Sequence, residues 1–287
     1  MDELSVVLQA RIFVREAGQL VLPPSVKAYV QHVGGVLRQE SDLSDNEPGY
    51  SFESNGKRYI CVNGKDSAER RRFTACHEVA HIVLGLPSEH SSMTWWSYAK
   101  RPKSEIFCDV FAAELLLPSQ LFEPLVREEQ IGFAAIDELG LRFVASTTAT
   151  GSRYAAVMDA PCAFVLSEKG VVRYASRSKT LREAGGWIAP RMGVPSDTLS
   201  ARVRKGGMAN GPDEVAADVW FSDWRRGGVL LEEARYLKSW DQTLTLLWFE
   251  DEEVPPLRGG RDGMAEGEEL LPELDGVLPW PGKKRRR

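Results

Sequence analysis

His77-Glu78-Val79-Ala80-His81, inside the run Arg72-Phe-Thr-Ala-Cys-His-Glu-Val-Ala-His-Ile-Val-Leu-Gly85, constrains this chain more than any other stretch. Residues four apart on a helix lie on one face about one turn apart, so His77 and His81 can grip a single metal ion only if the segment is helical. Glu78 follows the first histidine, where zinc peptidases place the carboxylate that takes a proton from a metal-bound water. Flanking residues agree with a helix. Ser67 is suited to begin it, Glu69 and Arg70 to Arg72 would be exposed, and Phe73, Cys76, Ala80, Val83 and Leu84 would form its buried side. Gly85 and Pro87 stop it in the expected order.

A catalytic zinc needs a third protein ligand. The three-histidine pattern HExxHxxGxxH fails, because Leu84 and Pro87 stand where its glycine and histidine belong. His90 comes three residues late and in a loop. The second helix, Ser104-Glu-Ile-Phe-Cys-Asp-Val-Phe-Ala-Ala-Glu-Leu-Leu-Leu-Pro118, offers Glu105 with Asp109 one turn on, and Ser104 as its cap. Glu105, Cys108, Asp109 and Ala112 share one small, polar face, while Ile106, Phe107, Val110, Phe111 and Leu117 fill the others. On this reading Glu105 completes the metal site. Asp109 accepts the second N–H of a liganding histidine and fixes its tautomer. Glu114 falls on the opposite side of the helix. Zinc is the expected metal, and manganese can occupy the same ligand set. A further donor for the oxyanion is expected, but the sequence singles none out, and Tyr50 and Tyr98 are no more than guesses.

The rest of the chain surrounds this core. Leu4, Val7, Leu8, Ile12 and Phe13 form a helical stripe, and Ser25 can cap a second helix through Gly34. Tyr50 to Val62 reads as a hairpin turning at Asn55-Gly56. The strand just before the zinc helix is either an open edge for an extended peptide or a purely structural element. Residues 88–103, with Trp95, Trp96 and Tyr98, are expected to be a flap over the cleft, the alternative being a loop pinned to the core. Residues 119–158 read as helical. Ile131 to Leu139, a turn at Gly140-Leu141, and Phe143 to Met158 have a helix-turn-helix outline. Arg153 is the one cation near the base-reading positions, so packing against the catalytic layer is favoured over DNA binding.

From Pro161 the pattern becomes β. Strands are expected at Cys162 to Leu166, Val171 to Ala175, Val219 to Phe221, Val229 to Leu237 and Thr243 to Phe249. The fold class is therefore α+β. The boundaries are a catalytic domain over 1–118, a helix-turn-helix-like region over 119–158, a small antiparallel-sheet domain over 159–252 and a flexible tail over 253–287. Charge narrows function further: the net charge of −5 gives no overall bias toward nucleic acid. Cys61, Cys76, Cys108 and Cys162 lack paired spacing, which predicts reduced, buried thiols rather than a disulfide framework. The acidic start Met1-Asp2-Glu3 predicts no signal peptide. No apolar run approaches the roughly 18 residues of a membrane span. These features together predict a cytoplasmic protein.

Arg72 to His81, followed by Glu105 to Pro118, resembles the ImmA/IrrE family of bacterial and phage zinc peptidases. The hairpin before the zinc helix and the helix-turn-helix-like region after it keep the same order, over about residues 20–158. The resemblance implies a minimal, thermolysin-like zincin core with His77, His81 and Glu105 as ligands, Glu78 as base, and Asp109 where many members show asparagine or aspartate. It implies selective cleavage of a partner helix-turn-helix repressor, releasing genes of mobile elements or of the DNA-damage response. The radiation-response branch carries a C-terminal GAF-like sensor domain, and residues 160–250 have a compatible strand count. Two other functions compete: a non-cleaving zincin-fold protein that holds a repressor or toxin, and a DNA-binding regulator using residues 131–158. The intact Glu78 disfavours the first, and the acidic charge the second.

Overall fold

A computed structural model of the chain describes residues 1–44, 47–87 and 102–250. His90, Trp95, Trp96 and Tyr98 of the expected flap, and the expected tail, lie outside the described residues. The chain divides into two compact units: Met1–Leu125 with Asp137–Thr150, and Val126–Ile136 with the chain from Gly151 onward.

The first unit opens with α1 (Glu3–Glu16), capped by Asp2, whose side chain accepts from the Ser5 N–H. In α2 (Val26–His32) Ser25 caps as expected, but the helix stops at His32, two residues before Gly34 takes a positive φ of 70°. Three strands come next: β1 (Gly35–Glu40), β2 (Gly49–Ser54) and β3 (Lys57–Asn63). Asn55 and Gly56 join β2 to β3 with φ values of 51° and 70°, the doubly positive turn that suits strand twist. β1, which the sequence pattern did not announce, pairs parallel to β3, and β2 pairs antiparallel to it. The order β1-β3-β2 makes β3 the central strand. The strand immediately before this helix is therefore interior, and among the described residues β1 and β2 are the edges of the sheet.

Ser67 caps α3 (Ala68–Leu84) by accepting from the Arg70 N–H, and Gly85 ends it in the left-handed conformation at φ 62°. The buried side consists of Ala75, Cys76, Val79, Ala80 and Leu84, together with Glu78 and His81. Phe73 and Val83, expected in the core, are only half-buried. The helix packs against β2 and β3 of the sheet and against α4 (Lys103–Leu116). Pro102, not Ser104, precedes α4, and no side chain caps it. Proline's fixed φ suits a helix entrance without a cap.

Beyond α4 come α5 (Ser119–Val126), α6 (Phe133–Phe143) and α7 (Thr147–Val157). The turn expected at Gly140-Leu141 lies inside α6; the chain turns at Val144, with φ 54°, and the Ala145 N–H closes it on the Gly140 carbonyl at 3.0 Å. Gly140 is a packing residue: a Cβ there would sit 3.3 Å from the Ala145 carbonyl oxygen and 3.4 Å from Thr150 Oγ1.

In the second unit, β4 (Cys162–Glu168), β5 (Val171–Arg177), β6 (Asp213–Ala216), β7 (Val229–Leu237) and β8 (Gln242–Phe249) form one antiparallel sheet in the order β5-β4-β8-β7-β6. Short helices α8 (Lys179–Glu183), α9 (Leu199–Arg204) and α10 (Ala217–Trp220) lie in the connections. Of the strand expected at Val219 to Phe221, Val219 and Trp220 are the end of α10 and Phe221 follows it in an extended conformation; β6 precedes the helix. Trp220 and Phe221 are consecutive yet both fully buried, in a cluster with Trp224 and Phe249. A strand would send them to opposite faces. No helix among the described residues is long and apolar enough to cross a membrane.

Candidate metal centre

Helix α3 carries His77, Glu78 and His81, and α4 carries Glu105 and Asp109; the two helices pack side by side. His77 Nε2 lies 3.1 Å from His81 Nε2 and 3.2 Å from Glu105 Oε2, and His81 Nε2 lies 3.4 Å from Glu105 Oε1. Ligands about 2.0–2.1 Å from a tetrahedral zinc are about 3.3–3.4 Å from one another, so this triangle fits the ion. The outer ring nitrogens are occupied. His77 Nδ1 is 2.9 Å from Asp109 Oδ1, and His81 Nδ1 is 3.2 Å from the Leu86 carbonyl oxygen. Each partner is an acceptor, which puts the hydrogen on Nδ1 and leaves the Nε2 lone pairs converging on one point. Two lone pairs and a carboxylate that meet in this way call for a cation.

The same acceptors also favour a proton on His77. Burial opposes a charge on His77, but hydrogen bonds to Asp109 and Glu105 and the charges of Asp109 and Glu78 outweigh it, raising its pKa to about 10. The His81 pKa is lowered, first by burial and then by the charge on His77. The surroundings therefore bias the two imidazoles in opposite directions, His77 toward the charged form and His81 toward the neutral one. The side chains of His77, Glu105 and His81 are 13%, 12% and 4% exposed, a shielded site in which neutral histidines need a specific cation.

Glu78 is 2% exposed and its Oε2 accepts from Ser51 Oγ at 2.6 Å. Sequence reasoning missed Ser51. Strand alternation could have indicated it, since it separates Ser51 and Glu53 from Tyr50 and Phe52. Tyr50 instead donates to Glu40 Oε2 at 2.9 Å, on the other face of the sheet from Ser51, so this oxyanion candidate does not reach the centre. Glu114 lies away from the metal triangle, as expected: buried, it accepts from the Ser119 N–H at 2.9 Å and pairs with Arg11 at 3.4 Å. None of the four cysteines forms a disulfide, and all are buried. Burial pushes Cys76 and Cys162 up to about 12 and Cys61 to about 11, which keeps them protonated.

A His-x-x-x-His helix facing a glutamate on a second helix, beside a small mixed sheet, has the layout of a metallopeptidase domain. Residues 30–153 match the family model described as the IrrE N-terminal-like domain, that of the M78 peptidase, or ImmA/IrrE, family. No curated protein matches the chain in sequence. Among solved structures it is similar to a Mycobacterium tuberculosis transcriptional regulator, 12% identical, with a TM-score of 0.55 over 85% of this chain and 76% of that one. At that identity the likeness is one of fold.

Proposed function

We propose that the chain is a zinc-dependent endopeptidase that selectively cleaves a partner helix-turn-helix repressor in the cytoplasm, derepressing stress, DNA-damage or mobile-element genes. The convergence of His77, His81 and Glu105 beside a buried Glu78 carries this reading. When bound by those three residues, zinc (or manganese) would supply a Lewis acid for the scissile carbonyl and acidify a water. Glu78 takes the proton from the attacking water and passes it to the leaving amine nitrogen as the C–N bond breaks. Asp109 and the Leu86 carbonyl keep both imidazoles in the required tautomer. The open edge of β2 offers backbone groups to an extended substrate.

The match over residues 30–153 supports a peptidase, and the repressor substrate is what the resemblance to the ImmA/IrrE family implies. The fold likeness to a protein described as a transcriptional regulator is compatible with a regulatory setting. A zincin-type core and a GAF/PAS-like sensor domain are consistent with the mixed sheet of the first unit and the five-stranded antiparallel sheet of the second. Direct DNA reading is disfavoured because Arg153 is 7% exposed and so withdrawn from phosphates. The deciding experiment incubates a candidate repressor, encoded next to this gene, with the native protein and with Glu78→Gln. Native protein should cleave it, and the variant should keep its zinc and lose about 10²–10⁴-fold in rate. A repressor left intact by the zinc-loaded native protein under every inducing condition would leave only a binding role.

A further inference from the structure

We infer that Ser51 is a positioning residue for Glu78, a role that rests on the peptidase reading above. Strand β2 lies along α3 in register. Gly49 faces Thr74, because a Cβ at position 49 would sit 2.7 Å from Thr74 Cγ2 and closer still to the Cys61 carbonyl oxygen. Two residues farther along the strand, about 6.8 Å, is Ser51; four residues farther along the helix, about 6 Å, is Glu78. The two steps match, and the pair meets at 2.6 Å. Ser51 itself is fixed by its antiparallel pairing with Ile60 in the central strand. Its hydroxyl occupies Glu78 Oε2 and orients the carboxylate so that the other oxygen is left to receive a proton. The strand with the open edge therefore also aims the base.

The test uses the full-length, zinc-loaded protein and acetohydroxamic acid, a small chelator whose acidic proton needs a carboxylate acceptor next to the metal. Its affinity is measured by calorimetry for the native protein, Ser51→Ala, Ser51→Thr and Glu78→Gln, along with zinc content and melting temperature. Ser51→Ala should bind about tenfold more weakly, and Ser51→Thr, which restores the hydroxyl, should return to within about threefold of native, zinc content and melting unchanged. Native affinity in Ser51→Ala, with weakened binding in Glu78→Gln, would overturn the role of Ser51 and leave the peptidase reading standing. Native affinity in Glu78→Gln as well would show that Glu78 does not face the metal, and both would fall. Zinc or melting temperature lost in Ser51→Ala and not recovered in Ser51→Thr would make the serine structural and overturn the inference.

Discussion

Glu78 in the first unit and Glu232 in the second are both withdrawn from solvent, 2% and 0% exposed, yet their surroundings differ in kind. Glu232, on β7, accepts from the Leu199 N–H at 3.2 Å, the Ser200 N–H at 2.8 Å, Ser200 Oγ at 2.5 Å and Trp220 Nε1 at 3.4 Å. Ser200 in turn meets Thr245 on β8. Those donors saturate both oxygens and tie α9 and α10 to the sheet. Glu78 has a single donor among the described residues, Ser51, and keeps acceptor capacity next to two histidines. A saturated buried carboxylate holds structure together. An unsaturated one beside the candidate metal ligands keeps an oxygen available for the proton transfer that the proposed mechanism asks of it.

Stability separates the two most sharply. Glu232→Ala strands several buried donors and should cost about 3–5 kcal/mol in chemical denaturation with zinc affinity unchanged, whereas Glu78→Ala should cost less than about 1 kcal/mol. Equal losses at the two positions would break the distinction. A smaller effect belongs to Asp109, which holds His77 from behind. Asp109→Ala should weaken zinc binding about 10–100-fold in competition with a chelator, while the fold is retained. Unchanged affinity would mean that the 2.9 Å contact does not orient the ligand.

The smallest effect is a pH slope in the metal-free protein. The folded pKa of His77, about 10, lies above its ordinary 6.5, so its proton stabilises the fold in full below about 6.5, and that stability is lost as pH rises through 10. Within that window each pH unit removes at most about 1.4 kcal/mol, visible as a falling melting temperature. Zinc replaces the proton and should flatten the slope. A metal-free protein whose melting temperature is level from about pH 7 to 10 would contradict a charged His77.

Much of this arrangement was legible from residue order. Ser67 and Gly85 bounded α3, Asn55-Gly56 set the hairpin, and the spacing of Glu105 and Asp109 singled out the carboxylates that meet the histidines. β1 was missed because an edge strand with only its first residue fully buried shows no apolar alternation. The turn at Val144 was missed because glycine, the usual marker of a positive φ, serves at 140 for close packing. Trp220 and Phe221 looked like a strand because both are β-forming residues, and their shared burial in one cluster overrode that preference.

By itself the sequence determined the features that the helical repeat and local chain stiffness impose: two histidines on one face, a glutamate beside them, caps and turns at fixed places. Tertiary structure alone decided the contacts that depend on distant elements meeting. Glu105 reaches the histidines because α4 packs along α3, 28 positions from His77. Ser51 reaches Glu78 across 27 positions because β2, relieved of a side chain at Gly49, lies close against the same helix. No local periodicity encodes such approaches; they are set by close packing, in which the absence of one methyl group decides how near a strand can come.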